Sequence, residues 1–262
     1  MAVSSYIETD RIILPLRETN GPDGIRICVL PTEAQTAIFA ARSIINIPIH
    51  KPDATVTFAT GNTMVQPYAE LARLTATMGV RWSDIRMNHL DEYGGASAND
   101  PESFARYLRE RVTVPLGIIN AHFMNGTADN LEHEAARYES LLTPADLVIL
   151  GIGPGGHIGF NEPQTPFDSR THVVQLSEET VSRDTARGQT KRTHAITQGI
   201  GNITEAAQIL LIAYGKQKAE YLRPVLYNDI TPDCPASALR LPGVGPKVSL
   251  LLDCEAAAWL NL

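Results

Sequence analysis

From residue 25 onward the chain switches repeatedly between short apolar runs and longer stretches with apolar positions every three to four residues. The runs IRICVL (25–30), TVTFAT (55–60), DIRMNHL (84–90, ending against Asp91), DLVILGIG (146–153), AAQILLIAYG (206–215) and KVSLLLD (247–253) read as strands. Between them, 32–45, 65–78, 101–112, 130–142 and 216–226 carry the helical period. Thr32 is placed to cap the first helix, and Pro101 sits in the first turn of the third. A short helix is expected after 247–253. Strands that alternate with helices predict an α/β fold, with a largely parallel sheet and helices on both faces.

Two segments depart from that rhythm. Residues 1–24 end in the turn-rich TNGPDG and read as an extension, laid on the domain or serving as a partner arm. Residues 164–194 are polar and charge-dense. No internal repeat, low-complexity tract or composition break divides the remainder, so 25–262 is read as a single domain.

Composition narrows the function. The chain has 262 residues, 44% hydrophobic and 19% charged, which supports a substantial core. A net charge of −7 with no Lys/Arg run argues against a nucleic-acid partner. No apolar stretch is long enough to span a membrane, and the N-terminus lacks the basic start and long apolar core of a signal peptide. Cys28, Cys234 and Cys254 are odd in number and far apart, and no CxxC pair exists. They read as reduced thiols of a cytoplasmic protein without a zinc site. His50, His122, His133, His172 and His194 show no metal spacing.

The candidate chemistry lies where strands end. GIGPGGHIGFNEP (151–163) follows DLVIL, so its glycines mark a sharp turn, and it supplies an imidazole, His157, and a carboxylate, Glu162. Open α/β sheets bind ligands just beyond the carboxyl ends of their strands. The stretch is not a full GxGxxG dinucleotide fingerprint. Thr60-Gly61-Asn62-Thr63 follows a strand and opens a helix, where backbone N–H groups and hydroxyls suit an anion; an ordinary capped turn reads the same way. It lacks the lysine of a nucleoside-triphosphate loop. Asp91-Glu92-Tyr93 offers a general base and ligand contacts, or else a helix cap and a solvated turn. His89, two residues earlier, reads as a packed histidine. Lys218 stands in a first helical turn, where a cation opposes the helix dipole. An anionic ligand accounts for it, as does simple solvation.

Together these segments resemble the glucosamine-6-phosphate deaminase (isomerase) family. The matching pieces are ATGNT (59–63), LDEYGG (90–95), PESF (101–104), GIGPGGHIGFNEP (151–163), SRTHVV (169–174), GKQKA (215–219) and PASAL (235–239), in family order. The resemblance implies a Rossmann-like open sheet and a cytoplasmic enzyme without a cofactor. Its substrate would be an aminosugar phosphate, and its product from glucosamine 6-phosphate and water would be fructose 6-phosphate and ammonia. By motif, Asp91 would move a proton between C2 and C1, His157 would assist ring opening, and Glu162 would tune or orient His157. Thr60, Gly61, Asn62 and Thr63 would cradle the phosphate, with Lys218 and Arg187 neutralising it. The family runs from monomers to hexamers, which leaves a homo-oligomer open.

Three positions depart from the family pattern. Gly155 stands where Asp or Asn is usual, two residues before the histidine; Ala186 falls where the phosphate arginine is expected, so Arg187 or Arg183 takes that place; and Met64 replaces a proline. Galactosamine 6-phosphate is an alternative substrate, since no motif sets the C4 choice. A 6-phosphogluconolactonase is disfavoured by the FNEP sequence. A non-catalytic sugar-phosphate sensor is suggested by Gly155 and opposed by the presence of Asp91, His157 and Glu162.

Overall fold

The computed structural model describes residues 13–186 and 188–261. Its main sheet has eight strands: β1 (Arg17–Asn20), β2 (Arg26–Leu30), β3 (Thr55–Phe58), β4 (Arg86–His89), β6 (Asn120–His122), β7 (Leu147–Leu150), β10 (Gln208–Ala213) and β11 (Val248–Asp253). Their spatial order is β1-β2-β11-β10-β7-β3-β4-β6. All neighbours are parallel except β1, which pairs antiparallel with β2 through Arg17↔Val29 and Asn20↔Arg26. The central strands are apolar on both faces because both faces are covered. A smaller antiparallel sheet joins β5 (Asp91–Tyr93), β9 (His194–Thr197) and β8 (His172–Gln175), in that order.

Eight helices accompany the strands among the described residues: α1 (Glu33–His50), α2 (Val65–Met78), α3 (Phe104–Leu108), α4 (Val114–Leu116), α5 (Leu131–Glu139), α6 (Glu178–Ala186), α7 (Ile200–Thr204) and α8 (Lys216–Tyr227). Thr32 caps α1 by accepting from Gln35 N. Gly79, left-handed at φ 64°, closes α2. From β2 the chain steps through β3 and β4 toward one edge; from β7 it steps back through β10 and β11 toward the other. Right-handed crossovers therefore place α1 and α2 on one face and α8 on the opposite one. The reversal falls between β3 and β7, which are hydrogen-bonded neighbours. Such a switch point opens a crevice at the strands' carboxyl ends.

The structure corrects several local expectations. The DIRMNHL strand stops at His89, and Asp91 starts β5 in the second sheet. The 101–112 helix begins only at Phe104, with Ser103 as its cap and Pro101 in the turn before it. It then loosens into a π turn over Arg109–Thr113, because Pro115 has no N–H to continue the α ladder. After β11 there are turns in place of the expected helix. Asp253 Oδ1 takes Ala256 N–H at 2.7 Å, and the few residues beyond are too few to propagate a helix alone.

Candidate active site

The crevice is walled by the two loops found in the sequence. The β3 loop carries Thr60–Thr63 into a 3-10 turn (Asn62–Met64) and then α2, and neither helical start has a side-chain cap. Its carbonyls are held from behind: Tyr107 Oη donates to Gly61 O at 3.0 Å, and Tyr214 Oη donates to Asn62 O at 3.3 Å and to Thr63 O. That leaves the uncapped N–H groups of this turn available to an anion. Tyr107 and Tyr214 were missed in the sequence, because nothing in their local patterns links them to residues 61–63. Gly61 sits at φ 107°, ψ 171°, a conformation open in practice to glycine alone.

The β7 loop touches this turn, since a Cβ on Gly151 would lie 3.6 Å from Met64 Cε. Lys218, from the first turn of α8, reaches the same loop and donates from Nζ to Ile152 O at 2.6 Å. A cation in a first turn is thus held against the β7 loop, beside the uncapped turn of the β3 loop. Arg187 lies outside the described residues.

His157 is seated directly on its own loop. A Cβ on Gly153 would fall 1.9 Å from His157 Nε2, so the imidazole occupies the space that any side chain at 153 would need. Gly153 N donates to His157 O at 3.0 Å, closing the turn. Glu162 Oε2 stands 3.8 Å from His157 Nδ1, with both side chains largely covered. Gly155 is left-handed at φ 65°, a region Asp and Asn also tolerate, and a Cβ there would meet Pro163 Cγ at 3.2 Å.

Asp91 and Glu92 are successive residues with different surroundings. Glu92 accepts from Tyr93 N, Ser103 Oγ, Phe104 N and Ala105 N at 2.7–3.0 Å, so it caps α3. Asp91 Oδ1 is buried with no hydrogen-bond partner. Its Oδ2 faces Gly159 of the β7 loop, 3.4 Å from where a Cβ would stand. Burial, with the charge of Glu92 adding, pushes the Asp91 carboxyl up to about 8. His89 is buried, its pKa lowered to about 3 by burial and then Arg109, and its Nδ1 accepts from Met124 N at 3.4 Å. It is a packed histidine, as the sequence indicated.

Among the described residues no group of His, Cys, Asp or Glu is placed to hold a metal, and no helix is long and apolar enough to cross a membrane. A cavity of about 950 Å3 borders the β7 loop at Pro154, Gly155 and Gly156, but Asp91, His157 and Glu162 do not line it.

The family model for glucosamine-6-phosphate isomerases/6-phosphogluconolactonase matches residues 33–245. Glucosamine-6-phosphate deaminase 1 of Bacillus subtilis (strain 168) is 40% identical over 242 residues, covering 89% of this chain and 99% of the relative. The chain belongs to the glucosamine-6-phosphate deaminase family. The deaminase of Clostridium botulinum (strain Kyoto / Type A2) is 35% identical over 246 residues, covering 91% and 100% of the two chains. A solved monomeric glucosamine-6-phosphate deaminase superposes with a TM-score of 0.84 at 40% identity, covering 89% of this chain and 99% of that one. The 6-phosphogluconolactonase of Trypanosoma brucei superposes at 0.71 with 22% identity over 90% and 98% of the two chains, which shows a shared fold. Within the deaminase family, this chain carries glycine at 155.

Proposed function

We propose that the protein converts glucosamine 6-phosphate and water into fructose 6-phosphate and ammonia, with Asp91 as the proton carrier. The observation that carries this is the Asp91 carboxyl: buried, one oxygen unpartnered, and facing the loop that bears His157. The phosphate sits on the Thr60–Thr63 turn, with Lys218 and Arg187 supplying positive charge. His157 takes and returns a proton as the pyranose ring opens to the aldehyde.

The carbonyl at C1 acidifies the C2 proton. Asp91 removes it, leaving an enolamine, and delivers a proton to C1. The resulting C2 imine adds water and expels ammonia, which leaves the ketone. No electrons are gained or lost, so the sequence of steps calls for no redox cofactor. A carboxyl near 8 is only about one-tenth ionised at pH 7, and it is a stronger base than an ordinary aspartate once ionised.

The polar 164–194 segment acts as a lid that excludes water from the intermediate. The reading places the protein in the cytoplasm, in aminosugar breakdown. Ammonia release and fructose 6-phosphate formation from glucosamine 6-phosphate test it, with galactosamine 6-phosphate and 6-phosphogluconolactone in parallel. Turnover of glucosamine 6-phosphate is expected. Hydrolysis of the lactone alone would overturn the reading.

A further inference from the structure

The run that leads into His157, Gly153-Pro154-Gly155-Gly156, has no polar side chain. Glu162 stands downstream, 3.8 Å from His157 Nδ1. Its main chain is fixed by Thr165, whose N and Oγ1 donate to Glu162 O at 3.1 and 2.7 Å. Its carboxylate is fixed by a different element. Thr180 Oγ1 donates to Glu162 Oε1 at 2.7 Å, and Ser177 Oγ lies 3.0 Å from Thr180 Oγ1 and 3.4 Å from Glu162 Oε1. Thr180 is 2% exposed although it belongs to the charge-dense segment.

Packing explains that burial. Leu176 and Val181, on either side of Ser177 and Thr180, join an apolar cluster with Tyr93, Phe104 and Phe160. The Phe104 and Phe160 rings stack at 5.7 Å, and Tyr93 packs at 4.8 and 5.0 Å from them. Phe160 is two residues before Glu162, and Tyr93 is two residues after Asp91. The first turn of α6 is therefore docked onto the aromatic floor between the two catalytic strand ends. Thr180 N donates to Ser177 Oγ at 3.2 Å, so the same serine starts the helix and completes the hydroxyl pair.

We propose that Thr180, backed by Ser177, is the positioning residue that aims the Glu162 carboxylate at His157, so that the ring's acidic support depends on the first turn of α6 being docked. With α6 displaced, Glu162 keeps its main-chain anchor but loses the hydrogen bond that selects its rotamer. Proton transfer at His157 is thereby tied to the docking of the first turn of α6. The inference rests on the assignment of His157 and Glu162 to ring opening.

A double-mutant cycle on the full chain tests it, read as kcat and KM for glucosamine 6-phosphate. Thr180→Val is expected to lower kcat about tenfold to hundredfold, as loss of one hydrogen bond to a charged group does, with KM held within about threefold. Thr180→Ser should restore kcat to within about threefold of the parent. In a Glu162→Gln background, Thr180→Val should cost less than about threefold more, because the two residues act through one contact. Full additivity, or a Thr180→Val enzyme with parental kcat, overturns the inference while Glu162→Gln alone remains impaired. A Glu162→Gln enzyme with parental kcat overturns the site assignment itself, and the inference with it. If Thr180→Val does not fold, Thr180→Ala and Ser177→Ala replace it, with the serine at 177 expected to matter less.

Discussion

The two loops at the switch point use glycine for opposite reasons. At Gly61 the backbone demands it: φ is 107°, and a Cβ there would meet nothing within 4 Å. At Gly153 the backbone is ordinary, at φ −118°, but a Cβ would collide with the His157 ring. The β3 loop thus bends its main chain, and its carbonyls at 61–63 are held by Tyr107 and Tyr214. The β7 loop gives up side-chain volume at Gly153, and the His157 imidazole takes that space. Under the proposed function, the first arrangement holds the phosphate, which does not react, and the second places His157, which does. Substitutions at these two glycines should therefore separate in kinetics as well as in size.

Of the two glycine substitutions, Gly153→Ala is the more damaging. It displaces the imidazole, and general acid–base catalysis contributes about 10^2–10^4-fold, so kcat/KM should fall within that range with the melting temperature little altered. Steady-state kinetics beside a thermal melt check this, and a loss under tenfold would separate His157 from ring opening. Gly61→Ala meets no neighbour and pays only backbone strain of about 1–3 kcal/mol. Its expected effect is a KM raised about tenfold with kcat within threefold. A fall in kcat alone would mean that the β3 loop does more than bind.

A smaller effect separates the adjacent acids. The Asp91 carboxyl is near 8 in the folded chain against a reference of 3.8, so the folded state holds a proton that the unfolded chain releases. Its contribution to stability is complete below about pH 4 and is lost as pH rises through 8. Asp91→Asn should therefore melt at least about 3 °C above the parent at pH 9, with the gap closing toward pH 4. Glu92→Gln should melt below the parent at pH 4, because its amide nitrogen cannot accept the hydrogen bonds that one carboxyl oxygen takes from Ser103 Oγ and Ala105 N. Equal behaviour of the two variants would remove the distinction drawn between them.

The main sheet was legible because its central strands are apolar runs and its longer helices keep a clean period. Even the correction at Asp91 has a pattern-level reason. β5 is three residues long and polar, so it adds nothing that periodicity can detect. β8 and β9 hide for the same reason, in HVVQ and HAIT. The pairing of His157 with Glu162 was legible because both lie in one loop. Thr180 was not, since its partner is 18 residues away and a threonine in a polar helix looks solvated. Glu92 and Asp91 could not be told apart by residue type; only once β5 is placed does strand alternation send these neighbours to opposite faces.

The measurement closest to the centre of the account is the turnover of Asp91→Asn, taken beside its affinity for glucosamine 6-phosphate. Ammonia release should fall at least about 10^3-fold, with sugar-phosphate affinity within a few-fold of the parent, because the proposed phosphate site lies on other elements. Ammonia release within tenfold of the parent would mean that the buried carboxyl at the start of β5 has no part in moving the C2 proton.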